Sequence, residues 1–409
     1  MAAILQGIRV IDWGMWYVGP GAAALLADMG ADVIHVEQRG LGDQMRGLHT
    51  IIGTPQMLPG GRQVTFEYGN RNKRGISLDM SKAEGREVIY RLVAKSDIFL
   101  TNFRESSARA LGLGYEDLKK HNPQILYLSA SCFGPKGPDS GLPGLDMVAA
   151  ARSGLMMISG DEDVEELKPG EPVLPPIGVA DEMGAVMLAF AALGGIIARD
   201  RLGISQEVHV SQLGAMSKLL GFLINQNLLL GVSALRQKRT EARNPLYNLY
   251  RCRDGKWLAL GLLREKEWGP FCQAVGLEHL EEDPRFATPA QRAQHCRGLI
   301  AILDQTFLNR NRDGWIGQLR AADLMFAPVN SLADLKDDPQ MIANEYITTM
   351  DHPSLGKINF PGFPVHFSQT PMTLRSPAPE YGQHNMEVLT DVCGYAAEEV
   401  ARLYEIGVL

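Results

Sequence analysis

The chain has 409 residues, of which 45% are hydrophobic and 21% are charged, and its formal net charge is −7. These values are typical of a soluble globular protein with two domains. The sequence contains no long basic tract, which argues against a nucleic-acid partner because phosphate binding needs concentrated Lys and Arg. The five cysteines are far apart and form no Cys-x-x-Cys pair, so we predict neither a metal site nor a redox pair.

The N-terminal segment lacks the basic region and the long apolar stretch of a signal peptide. The longest apolar stretch, Ala185–Ala198, is shorter than the roughly 20 residues that span a bilayer. The low density of cysteines fits a reducing compartment. We therefore expect a cytoplasmic protein without a membrane partner.

The first half of the chain alternates strands and helices. Gly7–Trp13 is predicted to be a buried strand, Ala22–Met29 a helix of small residues, and Ala31–Glu37 a second strand. This order is typical of α/β proteins with a parallel, doubly wound sheet. The alternation continues with helix Lys82–Lys95, strand Asp97–Asn102, helix Tyr115–His121, strand Gln124–Ala130, helices Asp146–Ser153 and Glu182–Ala198, strand Glu207–Val210 and helix Ser211–Leu230.

The pattern changes in the second half of the chain. Leu249–Arg253 and Lys256–Leu260 flank Asp254-Gly255, which predicts a hairpin. Helices follow, and the APVN stretch at 327–330 is predicted to be a strand that re-enters a sheet. We therefore predict a large Rossmann-like domain made of residues 1–231 and 326–409, with a smaller α+β domain, residues 232–325, inserted between them.

The first turn does not favour a dinucleotide site. Glu37 at the end of the second strand is compatible with one, but the segment Gly14–Gly21 is not G-x-G-x-x-G. Trp16 and Tyr17 also occupy the space that a pyrophosphate would need. A nicotinamide-dependent oxidoreductase is therefore disfavoured.

Basic residues cluster at 71–74, and Arg39 and Arg104 each follow a predicted strand. The carboxyl ends of parallel strands share one edge of a sheet, where ligands bind. Arg39 and Arg104 would then meet there, as a phosphate site requires. Separate solvated surface positions explain the same residues equally well.

Two carboxylates precede predicted helices. Asp181 stands before the apolar helix, where it can act as an N-cap or, favoured in its ionised form by the helix N-terminus, as a nucleophile. The free N–H groups of that turn, with Gly184 allowing close approach, would then hold an oxyanion. Asp146 can likewise act as an N-cap. Alternatively, it can orient a substrate or act as a general base.

Nine segments, in order, resemble the class III CoA-transferases of the CaiB/BaiF type. This family contains formyl-CoA:oxalate CoA-transferase, carnitine CoA-transferase and α-methylacyl-CoA racemase. The segments include GIRVIDWGMWYVGP, NKRGISLDM and PIGVADEMGAVMLAFAALGGIIARDRLGISQEVHVS, and the resemblance runs from about residue 5 to the C-terminus.

The resemblance implies an interlaced dimer and a CoA-transferase that uses Asp181 as its nucleophile. CoA would move from an acyl-CoA donor to a free carboxylic acid through aspartyl anhydride and aspartyl-CoA thioester intermediates, with no metal. Asp146 lies in a region that would contact CoA. By the same resemblance, the other CoA contacts are Tyr17, Val18, Gln38, Arg39, Leu78, Asp79, Met80, Ser81, Asn102, Phe103 and Arg104.

The chain departs from the family at several positions. Tyr17 stands where formyl-CoA transferase has glutamine, and the glycine-rich loop before the hairpin is replaced by the segment 243–248. With Trp16 and Leu246, these changes predict an acceptor acid larger than oxalate, aromatic or aliphatic.

Two alternatives to a self-sufficient transferase remain open. One is an acyl-CoA racemase or epimerase, although Leu145 stands where the racemases have a proton-transferring histidine and Arg264 where they have a glutamate. The other is a non-catalytic subunit that forms a heteromer with a paralogue. Retention of Asp181 argues against this second reading.

Overall fold

The structure is a computed structural model that describes residues 2–160, 171–233, 236 and 238–409. The sequence also predicts a loop at 160–176, with several prolines and glycines and an acidic cluster, and most of it lies outside the described residues. The chain forms two compact units. The larger comprises Met1–Leu155, Pro175–Val232 and Glu345–Leu409, and the smaller comprises Met156–Leu174 and Ser233–Asn344.

Strands and helices alternate from the N-terminus. In chain order they are β1 (Arg9–Trp13), α1 (Val18–Asp28), β2 (Asp32–Gln38), β3 (Thr50–Ile51), β4 (Thr54–Pro55), α2 (Val64–Asn70), β5 (Arg74–Leu78), α3 (Ala83–Val93), β6 (Ile98–Thr101), α4 (Glu105–Ala110), α5 (Tyr115–Leu118), β7 (Leu126–Ser131), α6 (Asp146–Arg152), α7 (Leu155–Ile158), α8 (Val179–Leu202), β8 (Glu207–Ser211), α9 (Gln212–Leu219) and α10 (Gly221–Leu230).

The second half contributes shorter strands. Its elements are β9 (Leu249–Arg251), β10 (Trp257–Leu260), α11 (Trp268–Val275), α12 (Pro289–Gln294), α13 (Cys296–Phe307), α14 (Arg312–Ala321), β11 (Phe326–Val329), α15 (Pro339–Ala343), β12 (Ile347–His352), β13 (Gly356–Pro361), α16 (Asn385–Asp391) and α17 (Ala397–Glu405).

The larger unit is organised around a six-stranded parallel sheet in the order β5-β2-β1-β6-β7-β8. The prediction of a parallel α/β sheet is confirmed. The chain proceeds from β1 through β2 to β5 in one direction and then returns to β6 on the other side of β1. The strand order therefore reverses between β1 and β6, and open α/β sheets bind ligands in the crevice at the carboxyl ends of such strands.

Helices cover both faces of this sheet, which explains its nearly continuous apolar strands. On one face, Val88, Ile89 and Leu92 of α3 are fully buried against the sheet. On the other face, α1 and α8 pack together. A methyl group at Gly21 of α1 would lie only 3.2 Å from the Cβ of Ala185, so small residues set the spacing of these two helices.

Helix α8 is longer than predicted, with 24 residues. Its length and mean hydropathy of 1.6 would suffice for a membrane span. Helix α8 also packs against α1 and β7, and an apolar composition of this kind is equally typical of a helix in a protein core. The predicted helix Ser211–Leu230 is instead two helices, α9 and α10, which meet at a bend of 74°.

The smaller unit has an antiparallel sheet in the order β11-β10-β9. The predicted hairpin is confirmed, and Gly255 in its turn has a φ of 77°, which glycine adopts without steric cost. The predicted APVN strand is present as β11, but it pairs within the smaller unit and not within the larger one, as the predicted boundary at 326 implied. Phe326 lies opposite Leu260 and Val329 opposite Trp257, so this strand completes the smaller sheet instead.

Candidate active site

The loops after β1 and β6 are held together at the point where the strand order reverses. The Asn102 side chain accepts a hydrogen bond from the Met15 N–H (2.9 Å) and donates one to the Met15 carbonyl (2.7 Å). One side chain thus satisfies both polar groups of a loop residue. The predicted CoA contact Asn102 therefore shapes the first loop.

The next residue of that loop, Trp16, has a φ of 65°, a left-handed conformation that is unusual for a bulky residue. Its N–H donates to Oδ1 of Asp43 at 3.2 Å. Asp43 is buried and follows β2, and its own N–H donates to Glu37 at 2.9 Å. Contacts from the loop after β2 therefore hold Trp16 in this conformation.

Asp146 caps the helix that carries Asp181. Its Oδ2 accepts from the Gly178 N–H (2.9 Å), and its Oδ1 accepts from the N–H groups of Ala180 (2.7 Å) and Asp181 (3.1 Å). The N-cap reading of Asp146 is wrong for its own helix, because Asp146 is the first residue of α6 and caps α8 instead. Both of its oxygens are thereby occupied, which makes Asp146 a positioning residue in this structure.

Asp181 is not an N-cap either, because α8 begins at Val179 and Asp181 lies within its first turn. The N–H groups of Ala180 and Asp181 are bound to Asp146, so the prediction that this turn holds an oxyanion is wrong for these two groups. Gly184 faces Val18 and Gln212 rather than open space. The Gln212 side chain donates to Oδ1 of Asp181 at 2.5 Å.

Burial and the neighbouring charge of Asp146 raise the pKa of Asp181 to about 7, and the hydrogen bond from Gln212 opposes them. Asp181 therefore holds its proton more tightly than an ordinary aspartate, and burial together with the Asp146 charge outweighs the effect expected of the helix N-terminus.

Asp181 opens onto a small pocket of about 100 Å³. Among the described residues that line it, Asp181 is the only charged side chain, and none is histidine. Leu145, at the racemases' histidine position, is among them. The lining residues are Trp16, Tyr17, Val18, Asn102, Ala130, Ser131, Cys132, Gly144, Leu145, Asp181 and Gln212.

Tyr17 joins the first loop to α8. Its hydroxyl donates to Glu182 at 2.7 Å, and its ring stacks on that of Tyr68 with centroids 6.0 Å apart. Burial raises the pKa of Glu182, while the Tyr17 hydrogen bond lowers it.

Neither Glu182 nor Gln212 was predicted from the sequence as a site residue. Their only sequence signal is a polar residue in the first turn of an otherwise apolar helix.

Most of the other predicted CoA contacts lie at the carboxyl ends of β2 and β5. Gln38 pairs with Leu78, and the Arg39 N–H donates to the Leu78 carbonyl at 3.0 Å. The last residues of the chain cover this edge, since Leu409 accepts from Nε of Arg39 at 2.7 Å and Val408 accepts from the Asp79 N–H at 2.8 Å. The segment 38–39 and the segment 78–81 are therefore brought together.

The remaining predicted contacts follow β6. Phe103 stacks on Trp13 with ring centroids 4.5 Å apart, so its ring is in part a packing element. Arg104 immediately precedes α4. One strand, β1, separates the strands that precede Arg39 and Arg104, which places those strands roughly 10 Å apart.

The basic cluster at 71–74 is used inside the fold. Lys73 is fully buried and donates to Asp12, to the Pro20 carbonyl and to Asn70, each at 2.8 Å. Arg71 is paired with Asp28 at 2.6 Å. The sequence suggested either a phosphate site or solvated surface positions for this cluster. Both interpretations are wrong for Arg71 and Lys73, whose side chains are buried and already paired.

A larger apolar pocket of about 490 Å³ lies within the smaller unit, between β9, β10 and β11. Leu246 does not line it. The side chain of Leu246 is buried in the core of that unit, so its predicted contact with the acceptor acid is not available. Within the described residues, no cluster of three or more His, Cys, Asp or Glu could hold a metal ion.

A doubly wound sheet with a pocket and a half-buried carboxylate at its reversal point is typical of an α/β enzyme that binds its substrate at the sheet edge. The chain matches the family model of CoA-transferase family III over residues 5–385. It therefore belongs to this family and is a CoA-transferase, and membership implies acyl-CoA substrates.

Similar proteins span nearly the whole chain. An acyl-CoA transferase of Fusarium pseudograminearum (strain CS3096) is 34% identical over 411 residues, which cover 99% of this chain and 88% of that protein. The succinyl-CoA:glutarate CoA-transferase of Mus musculus is 30% identical, with 99% of this chain and 90% of that protein covered. The crystal structure of a CAIB/BAIF family protein from Brucella suis superposes with a TM-score of 0.83 at 27% identity, covering 96% of this chain and 100% of that one.

Proposed function

We propose that the protein transfers CoA from an acyl-CoA donor to a free carboxylic acid through covalent intermediates on Asp181. The observation that carries the proposal is the position of this carboxylate. It is the charged side chain of a pocket that also contains Tyr17, Val18 and Asn102, three of the residues expected to contact CoA.

The transfer needs four balanced steps. Asp181 attacks the donor thioester, which gives an aspartyl anhydride and the CoA thiolate. The thiolate attacks the aspartyl carbonyl, which releases the donor acid and leaves an aspartyl-CoA thioester. The acceptor carboxylate attacks this thioester to form a second anhydride and the thiolate again. The thiolate then attacks the acceptor carbonyl, and Asp181 is regenerated.

Two properties of the site suit this sequence. A pKa of about 7 keeps part of Asp181 ionised while making it more basic than an ordinary aspartate. The pocket of about 100 Å³ has the volume of about three water molecules. A reacting carboxyl group would displace this water, which protects an anhydride from hydrolysis.

The test is to trap the intermediate. The purified protein is incubated with succinyl-CoA or acetyl-CoA, treated with hydroxylamine or borohydride, and digested for peptide mass spectrometry. We expect a modification confined to Asp181 that disappears in Asp181→Ala. If the protein binds CoA but gives no adduct with either donor, the proposal is contradicted. That result would favour the alternative in which the chain works only with a paralogous partner.

We also propose that the acceptor acid is larger than oxalate. Trp16 and Tyr17 border the pocket and present aromatic surface that suits an aliphatic or aromatic acid. A panel of acceptors offered to the trapped enzyme tests this. Thioester formation with oxalate at a rate comparable to that with bulky acids would refute it.

The larger unit leaves apolar faces exposed, and we propose that a second copy of the chain covers them in an interlaced dimer. Phe190 and Ile197 of α8 are more than half exposed, as are Phe222 and Leu228–Leu230 of α10. Contiguous exposed apolar surface of this kind marks a protein interface. Light scattering coupled to gel filtration distinguishes this homodimer from a monomer, and co-purification with a paralogue would indicate a heteromer.

A further inference from the structure

Gln212 is placed directly beside Asp181 by the end of the sheet. It is the first residue of α9, immediately after β8, and Ser211 caps that helix by accepting from the Gly214 N–H at 3.0 Å. Its side chain is buried, and a Cβ at Gly184 would lie 3.4 Å from its Cγ. The Gln212 side chain therefore packs closely against the first turns of α8, beside Asp181.

The hydrogen bond makes the two carboxylate oxygens of Asp181 different. Oδ1 accepts from Nε2 of Gln212 at 2.5 Å, which leaves Oδ2 as the oxygen that bonds to the acyl group. Other amide donors near the pocket are used elsewhere: the N–H groups of Ala180 and Asp181 bind Asp146, and the Asn102 side chain binds Met15.

We propose that Gln212 is a further catalytic residue, whose side-chain N–H stabilises the negative charge that develops on Oδ1 when the CoA thiolate attacks the aspartyl carbonyl. The inference rests on the proposed role of Asp181. In the anhydride, Oδ2 carries the acyl group and Oδ1 is the carbonyl oxygen. A donor already placed at that oxygen costs no reorganisation during the reaction.

Each bond change in this step can be assigned to an atom. The thiolate sulfur forms a bond to Cγ of Asp181, and the electron pair of the Cγ–Oδ1 double bond moves onto Oδ1. The resulting oxyanion accepts from Gln212. When the double bond re-forms, the Cγ–Oδ2 bond breaks and the donor acid leaves as a carboxylate. Asp181 then holds CoA as a thioester through Cγ, and Gln212 still donates to Oδ1.

The test compares Gln212→Leu and Gln212→Met with the wild type by rapid quench after mixing with succinyl-CoA. We expect formation of the aspartyl-CoA thioester to slow by about 10²- to 10³-fold, the loss typical of removing one oxyanion donor. The anhydride should accumulate relative to the thioester, because the slowed step consumes it. The affinity for CoA should change by less than about threefold. A purely structural role would not change the ratio of the two intermediates.

Ser211→Ala is the matched control, because it removes the cap of α9 but keeps the Gln212 donor, and its thioester rate should stay within about threefold of the wild type. If Gln212→Leu does not fold, Gln212→Met decides, since methionine keeps the unbranched shape without a donor. If the folded variants form the thioester at the wild-type rate, the role of Gln212 is refuted but the proposed function of Asp181 is not. Absence of any adduct in the wild type would instead overturn the proposed function of Asp181 and this inference with it.

Discussion

At the scale of single residues, Asp146 acts on Asp181 in two ways, through the backbone of α8 and through its charge. Three backbone N–H groups at the start of that helix are bound to its carboxylate, and its charge contributes to the raised pKa of Asp181. A substitution that keeps the shape but removes the charge separates the two effects.

Asp146→Asn should therefore lower the pKa of Asp181. The proposed attack needs the ionised form of Asp181, so activity should rise as the pH increases through this pKa, and the acid limb of the profile should move to lower pH. Weakening of the cap should also cost about 1 kcal/mol of stability. The measurement is the rate of adduct formation between pH 5 and 9, with the exposed Asp200→Asn as control. An unmoved acid limb would show that the charge of Asp146 is not sensed by Asp181.

Tyr17→Phe should destabilise the protein by about 0.5–1.5 kcal/mol, because it removes the hydrogen bond that the Tyr17 hydroxyl donates to the carboxylate of Glu182. Urea unfolding measures this loss, and Tyr247→Phe at an exposed position should stay within about 0.5 kcal/mol of the wild type. In a double-mutant cycle with Glu182→Gln, the two changes should be non-additive by about 0.5 kcal/mol or more. Additive effects would mean that the hydrogen bond contributes no coupling energy.

At the scale of elements, the contact between α1 and α8 depends on glycine. A Cβ at Gly21 would lie 3.0 Å from the Tyr17 ring and 3.2 Å from Ala185. Gly21→Ala should therefore push the helices apart and cost about 1–3 kcal/mol, measured by chemical unfolding. Gly298 lies in α13, where an added Cβ would have no neighbouring atom within 4 Å. Gly298→Ala should be neutral or stabilising by up to about 1 kcal/mol, and an equal loss in both variants would show that close packing does not require glycine at 21.

Strands β1 and β2 and the start of β5 enclose a buried charge network. Burial alone would raise the pKa of Asp12, but the charges of Lys73 and His35 lower it to about 2. Lys73→Met should cost about 3–5 kcal/mol, because it leaves a buried carboxylate short of its cation. Lys120→Met, which removes an exposed pair with Asp117, should leave the urea midpoint almost unchanged. Urea denaturation of both variants checks this, and comparable losses would show that burial does not amplify the Lys73 pair.

The elements with a clear period or composition were predictable from the sequence. Strands β1, β2, β6, β7 and β8 and helices α1, α3 and α8 appear close to their predicted ranges. Strand β5 was missed because its short RGISL sequence adjoins a basic run that was interpreted as a phosphate site or as surface positions and not as part of a strand. The partner of the APVN strand could not be predicted, since which strands pair is decided by tertiary contacts rather than by local sequence.

The same limit applies to the site. Asp181, Asp146 and Tyr17 were identified by motif, and the position of the strand ends predicted which loops would meet. The hydrogen bonds that decide their roles join residues 31 to 165 positions apart in the chain. Local sequence patterns do not predict contacts between residues so far apart in the chain. Gln212 and Glu182 were therefore identified only from the three-dimensional structure.

At the scale of the whole molecule, the exposed apolar side of α10 leads to a prediction about assembly. Phe222 is 93% exposed, so the folding of a single chain removes almost none of its ring from water. If a second copy covers this face, Phe222→Ser should shift the protein from dimer to monomer at micromolar concentration while leaving the melting of the chain cooperative. Sedimentation velocity measures the shift. A wild-type protein that is already monomeric would contradict the proposed dimer.

The wall of the pocket also contains a thiol, Cys132. A free thiolate beside an aspartyl anhydride would compete for the acyl group and leave the enzyme blocked as a stable protein thioester. Burial, together with the nearby charge of Asp181, raises the pKa of Cys132 to about 11, and only the thiolate is an effective nucleophile. At neutral pH Cys132 is therefore almost entirely in the unreactive thiol form. Once Asp181 is acylated it no longer carries a charge, so burial, the larger of the two effects, is what keeps the thiol protonated. Self-acylation of the thiol should therefore become significant only in alkaline solution.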